Sequence, residues 1–153
     1  MSIPKTPPGT RGARKAPGFA ARLITPLMIR IHRRSHDRFV GMDLLYLTTV
    51  GAKSGQSRTT PLARFDDGQG GWFVVASAGG SVSHPGWYHN LAAHPDQVQV
   101  ELGGQTHKVA VTQLSGAERE AAWQQVVSAA PNFTKYLAKT DRELPVLRLT
   151  PLD

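Results

Sequence analysis

Short apolar runs bounded by glycine, proline or polar residues recur along the chain from Asp43 onward. Runs of this length that are rich in β-branched and aromatic residues predict strands. Gly103-Gly104 separates two alternating runs in a way that is typical of a β-hairpin. Six strands are predicted in all, and they are Leu44–Thr49, Arg58–Phe65, Trp72–Ser77, Val98–Leu102, His107–Val111 and Pro145–Leu149.

Three segments between these strands predict helices. The first is His84–His94, and Asn132–Lys139 predicts a shorter one. Ser115 followed by Glu118 is a capping-box pattern, which predicts a helix that runs to about Ala130. Six short strands with few helices indicate an α+β fold, a compact antiparallel barrel whose openings the helices cover.

The first 40 residues have a different pattern. Residues 1–18 are rich in proline and lack any apolar period, so we expect them to be disordered. Four apolar residues then recur at helical spacing among arginines, and they are Leu23, Leu27, Met28 and Ile31. A basic amphipathic helix of this kind either lies on an anionic membrane surface or packs on its own domain or a partner subunit. We therefore divide the chain into residues 1–40, a partly disordered basic arm and helix, and residues 41–153, the globular domain.

The net charge of +7 comes from this arm. Residues 1–40 contain nine basic groups against Asp37 alone, whereas the other 113 residues contain nine basic and ten acidic groups. Clustered arginines attract phosphate, but the near-neutral domain carries no nucleic-acid motif, so we expect no nucleic-acid partner. Cysteine is absent, and no apolar run approaches the ~20 residues of a spanning helix. We expect a cytoplasmic protein that is peripheral on the inner face of the membrane if the helix binds lipid.

The segment Gly51–Pro61, which we call the clamp loop, is the first candidate site. Its glycines suit a turn that exposes backbone N–H groups, and Lys53, Arg58, Ser54 and Thr60 add cations and hydroxyls. If the flanking strands pair, these groups converge into a site for phosphate or carboxylate. The spacing alone is equally compatible with a solvated basic hairpin turn.

A second candidate combines Val75–Gly80 with His84–Asn90. Small residues at a strand end let a planar ligand approach the backbone closely, and Trp87, Tyr88 and Asn90 then supply a wall and an amide. The alternative makes Trp87 a core residue and Gly79-Gly80 a plain loop. No metal site is predicted, because His32 and His36 have neither the HExxH glutamate nor a third ligand nearby.

Four segments follow one another in a characteristic order, and they are residues 45–58, 75–80, 84–91 and 139–145. Together they resemble the deazaflavin-dependent nitroreductases, the coenzyme F420-dependent reductases of actinobacteria. The resemblance covers about Asp43 to Pro151 and implies a split β-barrel related to flavin-mononucleotide-binding oxidoreductases.

The resemblance also implies roles for residues of both candidate sites. Lys53 and Arg58 match family residues that bind the phosphate and acidic tail of the coenzyme. Other matched residues line the same groove or the deazaflavin, and they are Ala52, Ser54, Gln56, Thr59, Thr60, Pro61, Val75, Ala76, Ser77, Ala78, Gly86, Trp87, Tyr88 and Asn90. Family members often have cations where this chain has Ala52 and Ala78. We therefore expect this chain to bind the polyanionic tail of the coenzyme more weakly than they do.

For the acceptor, the resemblance implies Ser77 and Tyr136 as catalytic residues that orient it or donate a proton. The acceptor pocket matches Ala63, Ala130, Phe133 and Tyr136, of which only the last keeps the tyrosine of nitroimidazole-activating relatives. The implied function is hydride transfer from reduced F420 to a quinone-like, enone or nitroaromatic acceptor, by a monomer or homodimer. The alternatives are a flavin-mononucleotide-dependent reductase on the same fold and a non-catalytic F420-binding protein.

Overall fold

The computed structural model describes residues 3–12, 26–31, 34, 38–39 and 42–152. Eight strands lie in these ranges, namely β1 (Arg38–Phe39), β2 (Met42–Val50), β3 (Ser57–Ala63), β4 (Phe65–Asp66), β5 (Trp72–Val75), β6 (Gln99–Leu102), β7 (Gln105–Gln113) and β8 (Val146–Pro151). The labelled helices are α1 (Gly86–Ala93), α2 (Gly116–Ala129) and α3 (Phe133–Lys139), and a 3₁₀ turn spans Ala78–Gly80. Residues 26–31 and 34 are also helical.

All the strands join one antiparallel sheet in the order β1-β2-β6-β7-β8-β5-β4, with β3 paired to β2. The β2–β3 hairpin is in register from Leu44 opposite Ala63 to Val50 opposite Ser57. Gly103 and Gly104 have φ of 58° and 77°, which suits the two-residue hairpin turn between β6 and β7. The predicted antiparallel fold is confirmed. The sheet contains the six expected strands and two additional strands of two residues each, β1 and β4.

Part of the sheet is buried on both faces, and β5, whose four residues are all buried, shows how. Trp72 and Val74 belong to a first core cluster with α1, whereas Phe73 and Val75 belong to a second cluster with α2 and α3. Successive strand residues point to opposite faces, so one four-residue strand contributes to both cores. Each fully buried Val or Leu side chain contributes about 1.5–3 kcal/mol. This double burial fixes α1 on one face of the sheet and α2 and α3 on the other.

The capping box predicted at the start of α2 does not form. Ser115 is the N-cap residue, but its side chain makes no capping hydrogen bond. The Glu118 carboxylate instead lies 3.7 Å from the Arg148 guanidinium of β8. A tertiary ion pair has therefore replaced the local interaction that the sequence predicted, although the helix begins where the pattern placed it.

Residues 3–12, the N-terminal strap, lie against the domain, contrary to the disorder expected for residues 1–18. Ile3 is buried in the first core cluster. The Gly9 amide donates to the carbonyl of Val82 at 2.9 Å, and the Thr140 hydroxyl donates to the carbonyl of Arg11 at 2.5 Å. The strap needs no apolar period because polar groups of the domain satisfy its backbone. Residues 13–18 lie outside the described residues.

Asp141 attaches the end of the strap, and the attachment predicts a pH dependence. Its carboxylate accepts the Thr10 hydroxyl and the amides of Thr10 and Arg11, at 2.8 and 2.9 Å for the amides. These hydrogen bonds, that from the hydroxyl first, lower the pKa of Asp141 from 3.8 to about 2. Since the pKa is lowered in the folded chain, the attachment is complete above pH 3.8 and is lost as the pH falls toward 2.

We predict that Asp141→Asn releases the end of the strap at neutral pH, because the amide keeps one acceptor but loses the charge. The expected result is severalfold faster tryptic cleavage after Arg11 and faster hydrogen exchange of the Thr10 and Arg11 amides. Glu143→Gln is the matched control, since this exposed carboxylate pairs with Arg119 instead. Equal cleavage of the wild type and Asp141→Asn would contradict the prediction.

Candidate functional site

The clamp loop closes the β2–β3 hairpin through its own backbone. The amide of Gly51 donates to Gln56 O at 2.7 Å, and the amide of Gly55 donates to Gly51 O at 3.0 Å. Gly55 has a φ of 70°, a conformation that favours glycine. At Gly51 a Cβ would lie 2.4 Å from Ser54 Oγ. The turn therefore favours glycine at position 55, and a side chain at position 51 would require the Ser54 hydroxyl to move.

The side chains of the clamp loop present positive charge at its surface. Lys53 and Ser54 are exposed, and Arg58 is half-buried opposite Thr49 of β2. The hydroxyls of Thr48 and Thr59 lie 2.9 Å apart and join the two strands below the turn. Two cations with hydroxyls at the end of a rigid hairpin fit the phosphate of a nucleotide-like coenzyme. Among the other residues predicted to line the coenzyme groove, Ala52 and Gln56 are exposed and Thr60 and Pro61 are half-buried.

Asn90 of α1 brings the two candidate segments together. Its Oδ1 accepts the amide of Ala52 at 3.0 Å, and its Nδ2 donates to the Thr49 hydroxyl at 3.3 Å. The side-chain amide therefore holds the clamp loop against α1, and both of its polar atoms are engaged within the protein. The sequence placed Asn90 near the ligand but gave no signal for this bridging role.

Trp87 and Tyr88 lie in the first core cluster, with 7% and 0% of their surfaces exposed. The Tyr88 hydroxyl donates to Gln113 Oε1 at 2.7 Å and accepts the amide of Thr6 at 3.0 Å. Their side chains therefore belong to the core that supports the site. For Trp87, this is the core-residue alternative that the sequence left open. Gly86, at the start of the helix, is exposed.

The loop after β5 has an unusual backbone. Val75 and Ala76 are buried, whereas Ser77 and Ala78 are half-buried. Ala78 has a φ of 46°, and Gly79 and Gly80 follow at 63° and 82°. The turn packs on α3, because a Cβ on Gly80 would lie 3.0 Å from the carbonyl oxygen of Tyr136. The predicted catalytic residues Ser77 and Tyr136 therefore belong to adjoining elements.

Arg142 and His84 hold this loop from inside the protein, and sequence reasoning assigned neither of them a role. Arg142 is 3% exposed, and its guanidinium donates to the carbonyls of Ala76 at 2.9 Å, Ser77 at 2.7 Å and Ser81 at 3.0 Å. It also lies 2.8 Å from Nδ1 of His84. Burial lowers the pKa of the Arg142 guanidinium from its ordinary value. Its neighbours Asp141 and Glu143 are also charged, so the local pattern gave no signal that Arg142 is buried.

The four residues predicted to line the pocket for the electron acceptor lie together in the second core cluster. Ala130 and Phe133 are 3% and 6% exposed, so only Ala63 and Tyr136 keep accessible surface. The ring of Tyr136 meets that of Phe133 edge-on, with centroids 5.2 Å apart. Asn132 Nδ2 lies 3.4 Å from the Tyr136 hydroxyl. The described ranges contain no group of three His, Asp or Glu side chains that could hold a metal ion.

Comparison with known proteins identifies the family and the fold of the chain. Residues 21–151 match the family model of the F420H(2)-dependent quinone reductases. An F420H(2)-dependent quinone reductase of Mycobacterium tuberculosis H37Rv is 40% identical over 109 residues, which are 69% of this chain and 72% of the relative.

Two solved structures share the fold. One is an F420-H2 dependent reductase with 40% identity and a TM-score of 0.62, covering 69% of this chain and 92% of that one. The other, a domain-swapped dimer, has 34% identity and a TM-score of 0.64, covering 88% and 99%. These matches confirm the expected split β-barrel, and the chain belongs to the F420H(2)-dependent quinone reductase family.

Proposed function

We propose that the chain transfers a hydride from reduced coenzyme F420 to a quinone-like, enone or nitroaromatic acceptor, with residues 41–153 as the F420-binding domain. Family membership supports the reaction class and the cofactor. The observation that carries the assignment is the Asn90 bridge, because it unites the cationic clamp loop with the helix next to the deazaflavin segment. When bound, the reduced coenzyme supplies the hydride.

The protein contributes binding, orientation and exclusion of water. Lys53 and Arg58 bind the coenzyme phosphate, while Ser77 and Tyr136 orient the acceptor. Ala63 and Tyr136 form the accessible part of the acceptor pocket, and the buried Ala130 and Phe133 fill the space beneath them. Because Ala52 and Ala78 add no charge, Lys53 and Arg58 account for most of the attraction to the anionic tail.

Turnover of reduced F420 with menadione tests the function directly. We expect the deazaflavin absorbance to return to that of oxidised F420 as the quinone is consumed. No turnover with quinone, enone and nitroaromatic acceptors, together with tight F420 binding, would indicate a non-catalytic binding protein. Tighter binding of flavin mononucleotide than of F420 in a competitive titration would identify a flavin enzyme instead.

We predict that Lys53→Ala and Arg58→Ala weaken F420 binding by about fivefold or more, because each loses about 1 kcal/mol of partly screened attraction to phosphate. The acceptor KM should stay unchanged at saturating F420. Fluorescence titration and steady-state kinetics measure the two effects. Lys135→Ala, which removes an exposed lysine from α3, is the control. Wild-type affinity in both clamp variants would place the phosphate elsewhere.

We predict that Asn90→Ala separates the clamp loop from α1. Removing the bridge leaves the Ala52 amide and the Thr49 hydroxyl without this partner, at a cost of about 1 kcal/mol in unfolding free energy. F420 affinity should fall as well, although no charge is lost. Gln124→Ala removes an amide of similar size whose recorded bond lies within α2, and it should leave F420 affinity unchanged. Undiminished F420 affinity in Asn90→Ala would show that the bridge does not shape the site.

The amphipathic helix supports a further proposal, peripheral contact with an anionic membrane surface. Leu27 and Ile31 are 58% and 53% exposed, and Arg30 and Arg34 lie beside them. Within the described ranges, none of the helices has the length and apolarity needed to cross a membrane. A basic helix with exposed apolar residues can instead lie in the headgroup region.

We predict that the double variant Leu27→Ser, Ile31→Ser reduces co-sedimentation with vesicles containing anionic lipid but leaves turnover of soluble menadione unchanged. Vesicles of neutral lipid alone are the control, since the arginines contribute only on an anionic surface. Absence of wild-type sedimentation with the anionic vesicles would contradict membrane contact, and equal sedimentation with both vesicle types would contradict the contribution of the arginines.

A homodimer is proposed for the assembly. The support is the domain-swapped dimer of the structural neighbour with 34% identity. Sedimentation equilibrium decides between this dimer and a monomer.

A further inference from the structure

We propose that Arg142 is a positioning residue of the F420 site, whose guanidinium fixes the backbone of residues 76–81. The inference rests on the proposed function, because this backbone includes the segment assigned to the deazaflavin. Arg142 lies on the core side of the loop and is 3% exposed, so it shapes the site from behind.

The loop needs this support because its backbone conformation is energetically unfavourable. Ala78 lies in the left-handed region at a φ of 46°, a conformation that is unfavourable for residues with a Cβ. A conformation of this kind persists only where surrounding contacts determine it. Arg142 supplies them on both sides of Ala78, because its N–H groups reach the carbonyls of Ala76 and Ser77 before it and of Ser81 after it.

The fork of the guanidinium is what makes three carbonyl contacts possible. Arginine presents five N–H donors in one rigid plane, whereas lysine has a single ammonium on a flexible stem. The recorded acceptors of Arg142 are neutral carbonyls and an imidazole. Substitution by lysine would therefore keep the charge and lose the simultaneous contacts along the loop.

His84 extends this support to the N-terminal strap. Arg142 can only donate, so Nδ1 of His84 accepts, and the ring hydrogen is on Nε2. Nε2 then donates to the carbonyl of Thr6 at 2.7 Å. The imidazole is 2% exposed and packs on the Tyr88 ring with centroids 4.7 Å apart. One continuous set of hydrogen bonds thus runs from Thr6 through His84 and Arg142 to Ser77.

Arg142→Lys tests the inference, with Arg119→Lys as the matched control. Arg119 also donates to a carbonyl, but its acceptor, that of Leu144 at 2.8 Å, lies outside the loop. We expect Arg142→Lys to bind F420 at least about tenfold more weakly and to have a lower kcat. Arg119→Lys should match the wild type in both. A lower Tm with an unchanged F420 Kd would overturn the proposal, since it would show a merely structural role.

Hydrogen exchange without coenzyme gives an independent readout. The amides of Gly80 and Ser81 donate to Ser77 O and Ala78 O within the turn. Their exchange should be severalfold faster in Arg142→Lys, while that of Leu114, which bonds Val146, stays unchanged. Wild-type exchange at Gly80 and Ser81 would overturn the positioning role. If the wild-type protein does not bind F420, the proposed function fails, and this exchange still decides whether Arg142 orders the loop.

Three further variants keep the test decisive if Arg142→Lys does not fold. His84→Asn keeps an acceptor near Nδ1 for Arg142 but is too short to reach Thr6, whereas His84→Phe offers neither contact. We expect His84→Phe to bind F420 more weakly than His84→Asn. Guanidinium ion added at millimolar concentration should also restore F420 binding to Arg142→Ala but not to Lys53→Ala. Equal binding by both His84 variants together with no rescue would overturn the proposal.

Discussion

Burial of β5 and of the first part of β8 on both faces of the sheet is the constraint on which the rest of the structure depends. In β5 and β8 alternate residues enter different cores, so neither strand can shift by one residue without exchanging its two apolar faces. The fixed register in turn sets where the chain leaves β5 after Val75 and where it enters β8 at Val146. Arg142 and the strained loop lie in these two connections, so their geometry follows from the packing of the sheet.

Positive charge has two different roles in the two halves of the site. Lys53 is exposed on a hairpin turn, where an ammonium stays hydrated and available to an anion. Arg142 is buried, and its hydrogen bonds are made to groups of the protein itself. An exposed cation contributes attraction that salt screens, whereas a buried guanidinium contributes fixed geometry. The proposed F420 site therefore combines an adjustable anion contact with a rigid wall for the ring.

The N-terminal strap packs against the residues that hold the loop after β5. Thr6 contacts His84 and Tyr88, and Gln113 Nε2 donates to the Thr6 hydroxyl at 3.1 Å. Pro4, Pro7 and Pro8 have no backbone N–H, which leaves fewer donors to be satisfied when the strap packs on the domain. The strap thereby forms part of the environment of the loop after β5 while contributing only Ile3 to the core.

The sequence by itself determined the antiparallel strands, the helices between them and the two candidate segments, because these follow from apolar periodicity, glycine-containing turns and short motifs. It also indicated Lys53 and Arg58 as candidate phosphate-binding residues, because the other residues of the clamp loop are their neighbours in sequence. Only the tertiary structure decided that Asn90 bridges the segments and that Trp87 lies in the core. The same holds for Arg142, which contacts carbonyls more than 60 residues away in the chain. Such contacts depend on which elements pack together, and no local pattern encodes the partner of a single buried polar side chain.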